Sequence, residues 1–385
     1  MTKISKKIAK VPNLRFPEFS EEWKEITLGD CSLSLDYGMN AAATNFDGIN
    51  RYIRITDIDD ISSKYKSDSP VSPTGELEDK YLVKENDILF ARTGASTGKS
   101  YLYKPDDGKL YFAGFLIRVK IDSNYYNANF IFNQTKTVSY NKWVKLMSMR
   151  SGQPGINSQE YASFKFGVPL KSEQNKIASF LSLIDERIQT QSKVIEELKL
   201  LKVTLRNKLF EQLVNEENEL MLMKDILEYE QPVKYLVSNT DYFSDDSLIP
   251  VLTANKAFIL GYTDENSGIY DKGDCIIFDD FTMDLKYVDF PFKVKSSAIK
   301  ILKPKPKVNL RFVFEYLSFL NFQSNEHKRH YISEIEPMRI ALPNTKMQDS
   351  IAIFLSLIDE KTEIEVSTLK LLTRQKRWLL QNLFI

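Results

Sequence analysis

The sequence predicts an α+β protein in which two globular modules of mixed helices and strands are separated by two long helices that form a coiled coil, as a pseudo-twofold repeat. Three observations lead to this fold class. One seven-residue segment occurs twice, each copy opens a stretch with coiled-coil periodicity, and short strand patterns precede each copy. The predicted boundaries are 1–170 for module 1, 171–214 for the first helix, 215–344 for module 2 and 345–385 for the second helix.

The repeated segment, FLSLIDE, covers residues 180–186 and again 354–360. Extending the same alignment without a gap over 169–210 and 343–384 gives sixteen identities in 42 positions, seven within the segment and nine outside it. The stretches before the two copies match only faintly. A repeat whose helices stay alike while its modules diverge indicates a constant frame that carries two different binding modules.

Both modules contain short apolar or alternating runs bounded by turn residues, which is typical of strands. In module 1 we predict strands at 51–58, 87–91, 99–103 and 115–121, and a helix at 129–140. In module 2 we predict strands at 248–253, 274–278 and 298–302, and a helix at 310–320. A last strand, 164–170 or 338–343, leads directly into each long helix.

The two long helices carry an apolar stripe with a 3.5-residue period over about five heptads, the pattern of a left-handed coiled coil. Neither helix can bury its stripe alone, so pairing with each other is the economical solution. Ser172 is predicted to cap the first helix, and Thr345 with Gln348 to form a capping box at the second. The predicted helix–helix seam consists of Ile177, Leu181, Ile184, Ile188, Ile195, Leu198, Leu205 and Leu209 with Ile351, Leu355, Ile358, Leu369, Leu372, Leu379 and Leu383. Leu198, Leu205, Leu372 and Leu379 are expected to be buried.

Composition excludes several classes of protein. No apolar run approaches the roughly 20 residues that span a bilayer, and the basic N-terminus lacks the apolar core of a signal peptide, so we expect a cytoplasmic protein. Cys31 and Cys275 are too few for a disulfide framework or a zinc cluster, and are expected to be core residues. The formal net charge is zero, but 293–311 holds seven basic residues and no acid, either a solvated face or a local footprint for an anionic partner.

Catalytic motifs are incomplete. The loop 94–100, GASTGKS, has three residues between its glycines where a phosphate-binding loop needs four, and a strand pattern follows it. Contact with phosphates or bases through the flanking Arg92 and Lys99 fits this loop better. The carboxylates of 274–284 with Lys286 resemble a nuclease site only loosely, and no serine or cysteine has a plausible histidine base. The chain is therefore predicted to catalyse nothing and to bind no metal.

A second polar loop, 148–157, contains Arg150, Gln153 and Asn157, which are side chains able to pair with guanine or adenine edges, although an ordinary connection remains the alternative. Its counterpart in module 2 is the basic segment 327–331, HKRHY, which we expect to be solvated.

Taken together, several motifs make the chain similar to the specificity (S) subunits of type I restriction-modification systems. The motifs are NLRFPEF at 13–19 with Trp23 and LGD at 28–30, ILFARTG at 88–94, QPGIN at 153–157, and QxxIAxFLSLIDE at 174–186 and 348–360. The resemblance covers the whole chain. It departs in module 2, which has Phe278-Asp279-Asp280-Phe281-Thr282 where module 1 has the ARTG run.

This resemblance implies two target recognition domains held by an antiparallel helix pair, which together bind double-stranded DNA at a bipartite, asymmetric site. It also implies two methyltransferase (M) subunits docked on the helices, with restriction (R) subunits added. No cofactor is expected on this chain, while S-adenosylmethionine, ATP and Mg are expected on the partner subunits only. A non-catalytic coiled-coil scaffold joining two protein-binding modules is the alternative.

The two half-sites would lie roughly 34 Å apart on one face of the duplex, and a stiff helix pair could fix the gap between them. The candidate DNA-binding residues are Arg92, Thr93, Ser96, Lys99, Arg150, Gln153 and Asn157 in module 1, and Asn255, Lys256, Thr282, Lys286, Lys328 and Arg329 in module 2.

Overall fold

The computed structural model describes residues 11–149, 154–216, 218–254, 257–322 and 328–385. The chain divides into two compact units, and each unit contains a module together with parts of both long helices. Unit 1 consists of Met1–Thr190 and Leu369–Ile385, and unit 2 of Gln191–Thr368.

Unit 1 is built on an antiparallel four-stranded sheet with the order β2-β9-β6-β7. Its strands are β1 Lys24–Thr27, β2 Ser32–Tyr37, β3 Ala43–Asn45, β4 Asn50–Ile53, β5 Val71–Pro73, β6 Asp87–Ala91, β7 Ser100–Leu102, β8 Lys109–Phe112, β9 Leu116–Ile121 and β10 Lys165–Val168. Its helices are α1 Ala128–Gln134, α2 Val138–Ser148, α3 Ser158–Ala162 and the start of α4 Lys171–Asn215. The strand β1 pairs with β10, which leads into α4, so the module closes on itself.

Unit 2 contains an antiparallel four-stranded sheet with the corresponding order β12-β18-β15-β16 and a three-stranded sheet β14-β13-β17. Its strands are β11 Leu220–Leu222, β12 Leu227–Glu230, β13 Ile249–Leu252, β14 Ile259–Thr263, β15 Cys275–Asp279, β16 Leu285–Val288, β17 Lys293–Val294, β18 Ile299–Pro304 and β19 Arg339–Ala341. Its helices are α5 Met223–Ile226, α6 Leu310–Leu320 and the start of α7 Thr345–Asn382. As in unit 1, the first strand pairs with the last, β11 with β19.

Both units bury the start of one long helix beside the end of the other. The core of unit 1 contains Ile177 and Leu181 from the start of α4 with Leu383 and Phe384 from the end of the chain. The core of unit 2 contains Ile351 and Leu355 from α7 with Phe210 and Leu213 from α4. Within each unit the two helices therefore run antiparallel. The predicted α+β repeat with paired long helices is confirmed.

None of the fifteen predicted seam residues is exposed. Leu372 and Leu379 are buried as predicted, but the expectation of burial is wrong for Leu198 and Leu205, which are partly exposed. Two helices lying side by side enclose their shared seam on fewer sides than a layered core does. Residues at the cores of the modules, such as Leu181 and Leu355, are completely buried.

Polar residues of the stripe pair across the helices. Lys376 bonds to Asp185 in unit 1, and Lys202 lies 2.6 Å from Asp359 in unit 2. These two pairs are the same pair of repeat positions used in opposite directions, since Lys202 aligns with Lys376 and Asp185 with Asp359.

Several local predictions needed correction. The helix predicted at 129–140 is two helices, α1 and α2, because Thr137 caps a new helix by accepting from the Tyr140 N–H. Ser172 lies inside α4 rather than before it. At α7 the capping side chain is Asn344, which accepts from the Met347 N–H at 3.0 Å, so the predicted Thr345–Gln348 capping box is wrong.

Both cysteines are core residues, as predicted. Cys31 and Cys275 have no exposed surface, and burial raises the pKa of each thiol to about 12. They are protonated and unreactive at neutral pH.

Candidate nucleic-acid interface

In module 1 the predicted residue Arg92 lies at one end of the four-stranded sheet, directly after β6. Its backbone N–H donates to the Phe115 carbonyl at 3.1 Å, and its carbonyl accepts from the Ile156 N–H at 2.9 Å. These bonds fix the Arg92 backbone between two turns and do not involve its guanidinium. It lies over the Tyr37 ring, with Cζ 4.9 Å from the ring centroid.

The Tyr37 side chain is itself held in place. Its hydroxyl accepts a hydrogen bond from the Ser158 N–H at 3.1 Å. Burial acts to raise the pKa of this hydroxyl, but the bond from Ser158 and the charge of Arg92 outweigh burial and lower the pKa below its ordinary value. A fixed ring under a guanidinium restricts that guanidinium to few orientations.

Arg92 borders two cavities of module 1. One has a volume of about 650 Å³ and is lined mostly by apolar atoms, with Tyr37, Asn40, Arg54 and Phe115 among its residues. The other, of about 380 Å³, is lined by Thr93, Met147, Gly155, Ile156, Asn157 and Glu160 as well as Arg92. Phe115 is 64% exposed on the rim of the larger cavity. This end of the sheet combines exposed aromatic surface with a cation, a combination suited to nucleic acid.

The two loops that the sequence singled out in module 1 are brought together. The Gly94 N–H donates to the Pro154 carbonyl at 3.0 Å, and Thr93 forms a β-bridge with Gly155. Thr93, Ser96 and Asn157 therefore belong to one surface that also contains Arg92. Arg150 and Gln153 lie outside the described residues.

Two predicted contact residues of module 1 have structural partners. Lys99 is largely buried and lies 2.6 Å from Asp60. Asn157 caps α3, since its side chain accepts from the Glu160 N–H and the Glu160 carboxylate accepts from the Asn157 N–H. Both residues hold the surface in shape, and the Asn157 side-chain NH₂ is the group that stays available.

In module 2 the predicted residues also converge. Thr282 lies in the turn between β15 and β16, where its hydroxyl donates to Asp284 at 2.9 Å. Arg329 is exposed and lies over the Phe281 ring of that turn, 5.9 Å from the centroid. Lys328 forms an ion pair with Glu334 at 3.1 Å.

The remaining module 2 predictions have different outcomes. Lys286 is a partly exposed residue of β16. Asn255 and Lys256 lie outside the described residues. His330 is buried, so the expectation that 327–331 is solvated throughout is wrong.

The basic run 293–311 does not form an open cationic face, because five of its seven basic residues are committed to internal acceptors. Lys293 pairs with Glu265, Lys300 with Asp280, Lys303 with Glu230, Lys305 with the Lys224 carbonyl and Arg311 with Asp359. Most cations of the run are therefore paired within unit 2.

The sequence analysis missed the aromatic residues Tyr37, Phe115 and Phe281. The available signal was local, since Tyr37 precedes Gly38, and Phe115 follows Gly114 at the start of the strand predicted at 115–121. A Cβ at position 38 would lie 2.2 Å from the Ala113 carbonyl oxygen, so the close approach of these two turns requires glycine.

The described ranges contain neither a cluster of metal-ligating side chains nor a helix that could span a membrane. Among these residues no group of three or more His, Cys, Asp or Glu side chains could hold a metal ion. No described helix is long and apolar enough to cross a membrane.

The family model for the type I restriction modification DNA specificity domain matches this chain twice, at residues 20–200 and 215–374. The chain belongs to this family. The two matches coincide with the two module-and-helix repeats. Membership confirms the resemblance to the specificity subunits of type I restriction-modification systems.

Individual relatives agree. The Type I restriction enzyme EcoR124I/EcoR124II specificity subunit of Escherichia coli is 47% identical over 133 residues, which are 33% of this chain and 33% of that protein. The MjaVIII specificity subunit of Methanocaldococcus jannaschii is 26% identical over 51% of this chain and 43% of its own length. The chain thus matches less than half the length of these two relatives. The putative MjaX specificity subunit of the same organism is 25% identical over 90% of this chain and 89% of its own.

Solved structures share the fold. The type I restriction-modification S subunit from M. genitalium aligns with a TM-score of 0.65 at 18% identity, covering 97% of this chain and 99% of that one. A chain from a structure of type I R-M complex assembly and conformational transition aligns with a TM-score of 0.56 at 13% identity, covering 93% and 96%.

Proposed function

We propose that this specificity subunit recognises a bipartite, asymmetric site on double-stranded DNA through its two modules, and directs M and R subunits to that site. The observation that carries the proposal is the contrast within the repeat. The helices are alike and are anchored by the same glutamine contacts in both units, whereas the side chains at the end of each four-stranded sheet differ. Two different surfaces in equivalent positions would select two different half-sites.

The candidate contact residues divide by chemistry. Arg92, Thr93 and Asn157 in module 1 and Thr282 and Arg329 in module 2 present groups able to pair with base edges. Ser96, Lys99, Lys286 and Lys328 would position the modules on phosphates, directly or by shaping the loops. Arg150, Gln153, Asn255 and Lys256 remain candidates on the sequence evidence.

Exposed apolar side chains on the long helices support a protein partner that binds twice. Leu183 in α4 and Leu357 in α7 occupy the same repeat position, and they are 64% and 55% exposed. Phe354 nearby is 45% exposed. Large apolar groups exposed at equivalent places fit two copies of one partner, the M subunit. S-adenosylmethionine, ATP and Mg would then be bound by the M and R subunits.

The test of DNA recognition is binding of the M–S complex to duplex DNA over a range of salt concentrations, together with mapping of methylated adenines in cells with and without the gene. Affinity for the mapped motif that falls steeply with salt is expected. A protein scaffold would show neither a methylated bipartite motif nor salt-dependent binding.

The docking proposal has its own test. Leu183→Asp and Leu357→Asp should each remove one M subunit, and the double variant both, as measured by native mass. Ile61→Asp is the control, because Ile61 is 94% exposed but lies outside the helices. Unchanged stoichiometry in the double variant would contradict docking at these positions.

A further inference from the structure

The four-stranded sheets of the two modules correspond strand by strand in order and direction. In module 1 the order is β2-β9-β6-β7, and in module 2 it is β12-β18-β15-β16. All neighbouring pairs in both sheets are antiparallel. The strand β6 therefore corresponds to β15, and the residues that follow these strands can be compared although their sequences do not align.

Backbone hydrogen bonds identify the equivalent residues as Arg92 and Asp280. The Arg92 N–H donates to the Phe115 carbonyl at 3.1 Å, and the Asp280 N–H donates to the Ala298 carbonyl at 3.0 Å. Each residue then accepts through its own carbonyl from a segment late in its module, from the Ile156 N–H at 2.9 Å and from the His330 N–H at 3.0 Å. We call this shared place the strand-end position.

The side chains at the strand-end position have opposite roles. Asp280 is 2% exposed, and its Oδ1 accepts from the backbone N–H groups of His330 and Tyr331 at 3.1 and 2.8 Å. Its other oxygen lies 3.6 Å from the Lys300 ammonium. This carboxylate is fully used in holding the 330–331 segment, so it cannot reach a ligand.

Module 2 has a guanidinium close by on the segment that Asp280 anchors. Arg329 directly precedes His330, is exposed, and lies over Phe281, the residue that follows the strand-end position. In module 1 the guanidinium of Arg92 lies over Tyr37. Among the described residues, neither guanidinium has a carboxylate within ion-pair distance.

We infer that each module reads one guanine of its half-site with a guanidinium supported by an aromatic ring, and that the strand-end position decides where that guanidinium comes from. Module 1 supplies it from the strand-end position itself, as Arg92. Module 2 places an anchoring carboxylate there and supplies Arg329 from the anchored segment. The inference rests on the proposed function and adds to it the base and the residue that reads it.

The chemistry follows from the geometry of the guanidinium. Its planar fork can donate two parallel hydrogen bonds to O6 and N7 of guanine in the major groove, and no other base presents this pair of acceptors. An aromatic ring beneath the guanidinium holds it in one orientation, so the arginine side chain loses less conformational entropy on binding. An alanine at the same place removes both the fork and its charge.

The test uses the M–S complex and a duplex carrying its mapped motif, with each guanine of the half-sites replaced in turn by 7-deazaguanine, which lacks the N7 acceptor. The wild-type complex should lose about 5- to 150-fold in affinity at one guanine in each half-site. In Arg92→Ala that loss should disappear for the first half-site and persist for the second, and Arg329→Ala should show the reverse. Arg339→Ala, at an exposed arginine of β19, is the control.

The possible results of this experiment distinguish failure of the guanine-reading inference from failure of the proposed function. A wild-type complex that methylates a bipartite motif, but whose Arg92→Ala and Arg329→Ala variants retain the full 7-deazaguanine effect, would overturn the inference and leave the function intact. Uniform weakening on all duplexes with a shallower salt dependence would assign both arginines to phosphates, which also overturns it. Absence of any sequence-dependent binding would refute the proposed function itself.

Discussion

Glu315 of α6 has no exposed surface and is surrounded by cations. Lys202 lies 2.7 Å from one carboxylate oxygen, Arg311 lies 3.5 Å from the same oxygen, and Arg206 lies 3.8 Å from the other. Removing one member of a buried ion pair leaves the others desolvated without compensation, which costs about 3 to 5 kcal/mol. Since Asp359 also contacts Lys202, the lower end of that range applies.

Glu315→Ala should therefore lower the free energy of unfolding of unit 2 by about 3 kcal/mol. Urea denaturation of the full chain, followed by hydrogen exchange of α6, measures this loss. Glu196→Ala, at an exposed position of α4 in the same unit, should change it by less than about 0.5 kcal/mol. Equal effects of the two variants would show that the charge cluster contributes nothing specific.

Lys136 of module 1 has a lowered pKa of about 7, mainly because burial disfavours its charged form and secondly because Lys376 lies near, while Asp185 opposes the shift. Its ammonium donates to the hydroxyls of Ser63 and Ser100. Between pH 7 and about 10 the unfolded chain binds a proton there that the folded chain does not, so stability rises with pH across this window.

The Lys136→Met variant should remove that rise. The wild-type protein should gain stability relative to the variant between pH 7 and 10, at up to about 1.4 kcal/mol per pH unit, with little change below pH 7. Thermal unfolding at matched ionic strength checks this. A difference that stays constant with pH would mean that Lys136 keeps its charge throughout.

At the residue level, the sequence predicted which residues lie on the candidate DNA-binding surface better than it predicted what each side chain contacts. Arg92, Thr93 and Asn157 do border one cavity. The pairing of Lys99 with Asp60, and of the basic run with distant acids, depends on contacts between residues far apart in the chain. Such contacts carry no periodic signal, so charge patterns alone could not distinguish an internal cation from one free to bind DNA.

Among elements, the two long helices are attached to their modules by the same device. Gln174 accepts from the Asn127 N–H at 2.9 Å and donates to the Pro169 carbonyl, while Gln348 accepts from the Asn309 N–H at 2.9 Å and donates to the Pro343 carbonyl. Each asparagine in turn caps a module helix, α1 or α6. Both glutamines are buried.

Gln174→Ala and Gln348→Ala should thus cost similar amounts, about 1 to 3 kcal/mol each, because each leaves a buried backbone N–H without an acceptor. Stability of the two units, resolved by hydrogen exchange, checks this, with unit 1 affected by the first variant and unit 2 by the second. Gln212→Ala, exposed on α4, serves as the control. A large effect for one glutamine and none for the other would show that the two attachments are not equivalent.

The different exposure of the seam leucines predicts different losses of stability when they are changed to alanine. Leu372 is 7% exposed and should cost about 2 to 3 kcal/mol when changed to alanine, near the lower end for buried leucines because it is not completely enclosed. Leu205 is partly exposed, so its alanine variant should cost less. The urea midpoints of the two alanine variants measure this difference in stability. Unchanged stability in both variants would contradict a packed seam.

The elements were predictable where their signal is local. The helix α6 occupies the predicted residues 310–320, and β6 the predicted 87–91, because an apolar periodicity with clear ends determines each. The break between α1 and α2 was missed, since it depends on the Thr137 cap within an otherwise continuous pattern. The caps of α4 and α7 were misplaced because several adjacent polar residues could each serve.

At the scale of the whole molecule, each long helix contributes residues to the cores of both units. Phe384, two residues beyond the end of α7, packs on Phe130 in unit 1 with ring centroids 5.2 Å apart, and Phe210 of α4 packs on Phe312 in unit 2 at 5.4 Å. Phe130 and Phe312 each follow their capping asparagine by three residues. Each module thus depends on its own following helix and on the end of the other, which explains why the helices stayed alike while the modules diverged.

This arrangement determines which residues an exchanged module must retain. Residues 215–344 begin and end beside each other, since β11 pairs with β19, so both junctions fall at helix ends. A replacement from a relative should keep an asparagine at position 309 and an aromatic residue at position 312, because Gln348 and Phe210 outside the module contact them.

Exchanging residues 215–344 under that condition should change one half of the methylated motif and leave the other half intact, because module 1 and its strand-end Arg92 are untouched. Mapping of methylated adenines in cells that express the hybrid with its M subunits measures this. The matched control exchanges the same segment but alters Asn309 to alanine in the incoming module. That hybrid should lose methylation through loss of stability, about 1 kcal/mol for the cap and more for the buried amide bonds. If the well-matched hybrid changed both halves of the motif, or neither, the account of two independent reading modules would be wrong.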